Sequence, residues 1–179
     1  IGSLYVSLEL MASYGITMQL LVVVGMLAGI FTRVYMPKVF QWRVEGRLDL
    51  VKKMFYLSSI VMFIVFTISG TIIVLWGDWM LRVLKSSTML LSTSLLILVF
   101  IQNYLEYNHS NAAQYLLSRN EVPFFKASLI SAVGVLMLLM IFVVWLDMGV
   151  LGMILAPMLV QAVYQNWKWP LEVIKEFKN

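Results

Sequence analysis

Residues 131–145 read SAVGVLMLLMIFVVW, a stretch with no charge, no amide and no alternation. A strand half-buried in a sheet or barrel alternates polar and apolar with a period of two, and a membrane-barrel strand needs only about 10 such residues. A surface helix of a soluble domain keeps one polar face. This stretch does neither. It is apolar all round, which suits a helix in lipid, and it lies in an uncharged run at 127–146. Four more such runs stand at 10–32, 54–77, 86–105 and 148–167. About 20 apolar residues at 1.5 Å each cross the ~30 Å hydrocarbon core, so five transmembrane helices are predicted.

The whole composition agrees. Of 179 residues, 61% are hydrophobic and 12% charged, against about a quarter charged in soluble domains. The net charge of +4 is carried by residues lying between apolar runs, without the aromatic-interleaved basic stripe that nucleic acid requires. A membrane surface is the expected partner and nucleic acid is not. There is no cysteine and one histidine, which disfavours thiolate, zinc and haem sites. No phosphate-cradling glycine loop, G-x-S-x-G or H-E-x-x-H occurs. The expectation is therefore no enzyme, no catalytic residues, no metal and no cofactor. The chain opens on Ile1 with no basic n-region or cleavage site, and is read as a portion of a longer membrane protein.

Charge predicts the topology. With the chain starting outside, Arg33, Lys38, Arg43, Arg47, Lys52, Lys53, Arg119, Lys126, Lys168, Lys175 and Lys178 face the cytoplasm, and only Arg82 and Lys85 do not. That asymmetry follows the positive-inside rule and puts the C-terminus in the cytoplasm. Trp42 and Tyr56 form the inner aromatic belt, Trp76, Trp79 and Trp145 the outer one, with Trp167 and Trp169 at the final exit. The last helix is expected to end near Pro170, leaving a short solvated tail. Pro37 and Pro123 are read as helix boundaries, and Pro157 as a kink. The connection at 146–150 (LDMGV) is so short that spans four and five must be antiparallel neighbours. With no linker, residues 1–179 form one domain. Gly25-x-x-x-Gly29 in span one and Gly149, Gly152 and Ala156 in span five mark helix-contact faces. Gln19, mid-span, is expected to make an interhelical hydrogen bond.

One helix is unlike the rest. After LLILVFIQNYL the chain continues EYNHSNAAQ at 106–114, and nothing between Thr88 and Glu121 is Pro or Gly. On a helical wheel Gln102, Glu106 and His109 fall within about 60° of one another. Ser110, Asn103, Gln114 and Asn111 widen the polar sector to about 180°, leaving Leu105, Ala112 and Leu116 as a narrow lipid face. Either the span ends near Leu105 and 106–122 is solvated, or the helix continues to Leu117 (span 86–117) and its polar sector faces a water-filled vestibule. An ionised carboxylate in lipid costs about 2.5–3.5 kcal/mol, so Glu106 must face protein or water. Glu106 and His109, at i and i+3, are either a proton-sharing pair suited to ion coupling or a structural hydrogen-bonded pair. Arg33, Arg119 and Lys126 are read as cations of the inner interface, with Arg33 snorkelling to the headgroups.

The segment from Tyr115 to Val163, YLLSRNEVPFFKASLISAVGVLMLLMIFVVWLDMGVLGMILAPMLVQAV, resembles the closing helices of polysaccharide flippases in the MATE-like multidrug/oligosaccharidyl-lipid/polysaccharide exporter superfamily. The features carrying the resemblance are Leu116-Leu117, the Arg119-Asn120 turn, the apolar fourth span and the Gly149-Val-Leu-Gly152 turn. The stretch MPKVFQWRVEGRLDLVKKMFY is similar to the family's cytoplasmic loop. The resemblance implies an all-α integral membrane protein whose five helices make most of one bundle of a two-bundle transporter in the inner membrane. The implied activity is flipping of an undecaprenyl-pyrophosphate-linked oligosaccharide, such as an O-antigen unit, to the outer leaflet by alternating access. It also implies a substrate pathway along Gln102, Asn103, Glu106, His109, Ser110, Asn111 and Gln114. The implied partners are membrane lipid, the lipid-linked glycan, the remaining N-terminal helices, and polysaccharide polymerase or other assembly proteins. A cation-coupled multidrug antiporter and a non-transporting scaffold or accessory subunit are the alternative readings.

Overall fold

The computed structural model describes residues 2–177, so the expectation for Lys178 lies outside the described residues. The described residues are helical, joined by turns and short irregular connections, with no strand among them. After a short α1 (Gly2–Tyr5) come α2 (Leu8–Val44), α3 (Leu48–Val83) and α4 (Thr93–Leu117). They are followed by α5 (Phe125–Leu139), which continues as a π-helical segment (Met140–Trp145), then α6 (Gly149–Val163) and α7 (Gln165–Glu176). Among the described residues, four helical stretches are long and apolar enough to cross a membrane: Leu8–Val44, Leu48–Val83, Phe125–Trp145 and Gly149–Glu176. The fifth expected span, α4, is not among them, because its polar second half dilutes the apolar first half.

Several helix ends lie elsewhere than predicted. Pro37 lies inside α2, and Pro170 lies inside α7. The stretch MPKVFQWRVEGRLDLVKKMFY, expected as a loop, is helical except for residues 45–47, with Gly46 at φ +73° supplying the left-handed turn that only glycine adopts without strain. In a packed membrane helix the donor lost at proline is a tolerated defect. Helix α4 starts at Thr93 rather than 86. Between α3 and α4 the backbone is taken by side chains instead of by a helix ladder. Leu90 N–H donates to Asp78 Oδ1 at 3.0 Å, Leu91 N–H to Thr17 Oγ1 at 3.4 Å, and Thr88 N–H to Ser86 Oγ at 3.1 Å. Such local bonds compete directly with helix formation. Leu90 and Leu91 are buried by this arrangement.

Two apolar clusters hold the bundle. One joins Leu21, Val24 and Ala28 of α2 to Met62 and Phe66 of α3, Val99 and Phe100 of α4, and Val150 and Ile154 of α6. The other joins Met36 and Val39 of α2, Val51 and Phe55 of α3, Ala112, Tyr115 and Leu116 of α4, and Trp169 and Val173 of α7. Val173 is fully buried, so the segment after Pro170 is a packed helix and not a solvated tail. At that end Arg43 of α2 donates to Ser118 Oγ at 2.7 Å and forms a bidentate ion pair with Glu176 of α7.

The short connection between spans four and five behaves as expected. Asp147 (φ +50°) and Gly149 (φ +55°) reverse the chain, and α5 and α6 pack side by side. Gly152 lies against Phe142 in the π-helical turn, where an added Cβ would come within 2.9 Å of Phe142 Cβ. Ala156 is fully buried. Trp76, Trp79 and Trp145 are exposed, whereas Trp169 is only 3% exposed.

Candidate functional site

The second half of α4 is helical to Leu117, and its polar sector divides between two environments. One edge turns toward α7. His109 is buried, and its Nδ1 pairs with Asn166 Oδ1 at 3.0 Å. The predicted lipid face does not meet lipid, since Ala112 and Leu116 are each fully buried under α7. What covers that face is α7, whose Trp169 and Val173 share an apolar cluster with Ala112 and Leu116.

The other edge borders a cavity of about 420 Å³ between α2, α3 and α4. Asn103, Glu106, Ser110, Asn111 and Gln114 line it from α4, Thr32 and Arg33 from α2. Met18, Val22 and Met62 give it an apolar wall. Its volume falls in the range of small-ligand sites, about 300–1,000 Å³.

Its base is a hydrogen-bonded relay across three helices. Thr32 Oγ1 donates to Asn111 Oδ1 at 2.8 Å, Asn111 Nδ2 donates to Ser58 Oγ at 3.2 Å, and Ser58 Oγ lies 3.2 Å from the Tyr115 hydroxyl. All four residues are buried, and in sequence they fall where the two apolar clusters meet. Pairing of this kind removes the penalty for burying amides and hydroxyls. Thr32, Ser58 and Tyr115 were not singled out from the sequence. Their signal was present, as isolated hydroxyls in otherwise apolar spans. Gln19, chosen instead, is exposed and makes no side-chain hydrogen bond among the described residues.

The upper wall is also organised. Gln102 Nε2 donates to Glu106 Oε2 at 3.0 Å, and Gln102 Oε1 accepts from Asn103 Nδ2 at 2.9 Å. Gln102 thus orients the carboxylate. Asn103 Nδ2 also donates to the Val99 carbonyl at 2.9 Å. Glu106 and His109 are not hydrogen-bonded to each other, so the proposed proton-sharing pair is divided between cavity and α7. Ser110 and Gln114 make no side-chain hydrogen bond among the described residues, which leaves their polar atoms available to a ligand.

Arg33 departs furthest from expectation. Its guanidinium does not reach toward the α2 C-terminus. It folds back along the helix, donates from Nη2 to the Met26 carbonyl, and crosses Gly29, where an added Cβ would lie 3.0 Å from Nη1. A guanidinium and a carboxylate therefore border one cavity without forming an ion pair within 4 Å of each other. The Gly25-x-x-x-Gly29 face makes room for side chains more than for a backbone. Gly25 lies under the Tyr107 ring, and any Cβ there would overlap it. Arg119 pairs with Glu121 at 2.8 Å, and Lys126 is exposed on the first turn of α5. Among the described residues no cluster of His, Cys, Asp and Glu could hold a metal ion.

Fold and site together define an all-α, membrane-type helical bundle with a polar cavity against its most polar helix. Compared with known protein families, curated proteins and solved structures, the chain matches none.

Proposed function

We propose that this chain is part of a membrane transporter that moves a lipid-linked oligosaccharide from the cytoplasmic to the outer leaflet by alternating access. The observation that carries the reading is the cavity itself. Uncommitted Ser110 and Gln114, the Glu106 carboxylate and the Arg33 guanidinium offer donors and acceptors on one surface, the chemistry that sugar hydroxyls require. An apolar drug would leave these groups unpaired, at a cost of about 1–3 kcal/mol each. Charged Arg33 and Glu106 on one flank are incompatible with acyl chains, by about 2.5–3.5 kcal/mol for a charge at mid-span. That flank therefore faces water or a second helical bundle, as a two-bundle inner-membrane transporter with a cytoplasmic C-terminus would provide.

Cation-coupled antiport is less well supported. The Glu106 carboxylate accepts from an amide donor and shares its cavity with a guanidinium, and both disfavour a bound cation. A scaffold or accessory subunit needs no cavity at this position. The direct test is Glu106→Gln and Gln114→Leu in the full-length protein, with surface polysaccharide and membrane abundance measured together. Loss of export at unchanged abundance supports the reading; unimpaired export by both variants removes this cavity from the pathway.

A further inference from the structure

The helix break at Tyr164 creates a second concavity. Helix α6 stops at Val163, Tyr164 takes φ −144° and ψ −53°, and α7 leaves the line of α6 to pack on α4. A groove of about 510 Å³ is left between α5, the end of α6 and the start of α7. Its apolar lining includes Ile130, Val160 and Val163. Gly134 brings α5 and α6 together there, since an added Cβ would lie 3.3 Å from Val160 Cγ1. The Trp169 indole, edge-on to Phe124 at 6.1 Å, and Tyr164 form the opposite wall.

The rim is cationic. Lys126 borders the groove in the first turn of α5, where this apolar span meets the polar boundary. Arg119 and Lys168 on this flank are each taken by a carboxylate, at 2.8 Å from Glu121 and 2.9 Å from Glu172. Lys126 has no carboxylate partner among the described residues. The N-terminus of α5 also has no side-chain cap, so its first amides add to the positive potential beside the ammonium.

We propose that this groove binds an anionic phospholipid, its phosphate at Lys126 and one acyl chain along Ile130, Gly134 and Val160. A groove that is apolar along its length and carries an ammonium at one end matches an amphiphile with one negative head. Basic pockets between transmembrane helices hold anionic headgroups for this reason. A zwitterionic lipid brings its own ammonium toward Lys126 and gains less. The site is separate from the cavity bordered by Glu106 and does not depend on the transported substrate.

The test uses the full-length protein in vesicles containing either dibrominated-acyl phosphatidylglycerol or dibrominated-acyl phosphatidylcholine. Quenching of Trp169 is obtained as the difference between wild type and Trp169→Phe. Phosphatidylglycerol is expected to quench Trp169 at roughly fivefold lower mole fraction than phosphatidylcholine. Lys126→Gln should remove that preference, and Ser131→Leu, which fills the groove, should reduce quenching by both lipids. Native mass spectrometry of wild type and Lys126→Gln from mixed lipid makes the same comparison without altering Trp169. Equal behaviour of the two lipids in wild type overturns the proposal, as does an absence of quenching by either, which would mean that protein covers the groove.

Discussion

Thr32 and Asn111, 79 residues apart, join α2 to α4 through a buried 2.8 Å hydrogen bond. Asn111 passes the connection to Ser58 on α3, so one amide ties three helices. This fixes the rotation of α4, and with it the direction in which Ser110 and Gln114 face. We predict that Asn111→Leu destabilises the full-length protein by about 1–2 kcal/mol in detergent unfolding, because the buried Thr32 hydroxyl loses its partner and Ser58 loses one of its donors. A Thr32→Val/Asn111→Leu cycle should give a coupling of about 0.6–1.7 kcal/mol. Strict additivity would mean that the bond contributes nothing.

Gly25 and Tyr107 make a second prediction. No side chain fits at 25 while the Tyr107 ring occupies that space, and the ring also packs against Phe66, centroids 5.5 Å apart. Gly25→Ala should cost about 1–3 kcal/mol through overpacking. Tyr107→Ala should be less harmful in the Gly25→Ala background than in wild type, as thermal unfolding of the four proteins would reveal.

The Arg43–Glu176 pair locks α7 onto the ends of α2 and α4. Its side chains are 13% and 19% exposed, so removing one partner strands a largely desolvated charge. Arg43→Ala is expected to cost about 1.5–3 kcal/mol, with hydrogen exchange accelerated selectively in 165–176. Glu176→Arg combined with Arg43→Glu should restore much of the protection. Unchanged exchange in Arg43→Ala would show that apolar contacts of Trp169 and Val173 hold α7 by themselves.

The helical class, the tight reversal at 146–150 and the polar sector of α4 were all legible, since each depends on local pattern. The errors share one physical source: neighbours in space change what a residue tolerates. Pro37 and Pro170 break helices in water, but inside a packed bundle the surrounding helices keep the chain helical through them. The Leu105, Ala112 and Leu116 face looked destined for lipid, yet Ala112 and Leu116 are buried against α7, which runs through Pro170, while Leu105 stays half-buried. Pro37 suggests a helix end beside Arg33, but α2 continues to Val44 and the guanidinium lies back along it toward the Met26 carbonyl. The segment before Thr93 looked helical by composition, yet Asp78 and Thr17 take its backbone donors from elsewhere in the fold. Ser58 and Thr32 gave a faint signal, because a lone hydroxyl in an apolar span more often bonds its own helix, as Thr71 does with the Thr67 carbonyl.

The central claim is that the cavity beside α4 is reached by water while the opposite face of that helix is sealed. The chain contains no cysteine, so single cysteines at 106, 110, 112, 114 and 116 of the full-length protein can be tested with a membrane-impermeant thiol reagent. Labelling at 106, 110 and 114 with protection at 112 and 116 is the predicted result. Protection at all five positions, or labelling at 112 and 116 as readily as at 110, would contradict the account.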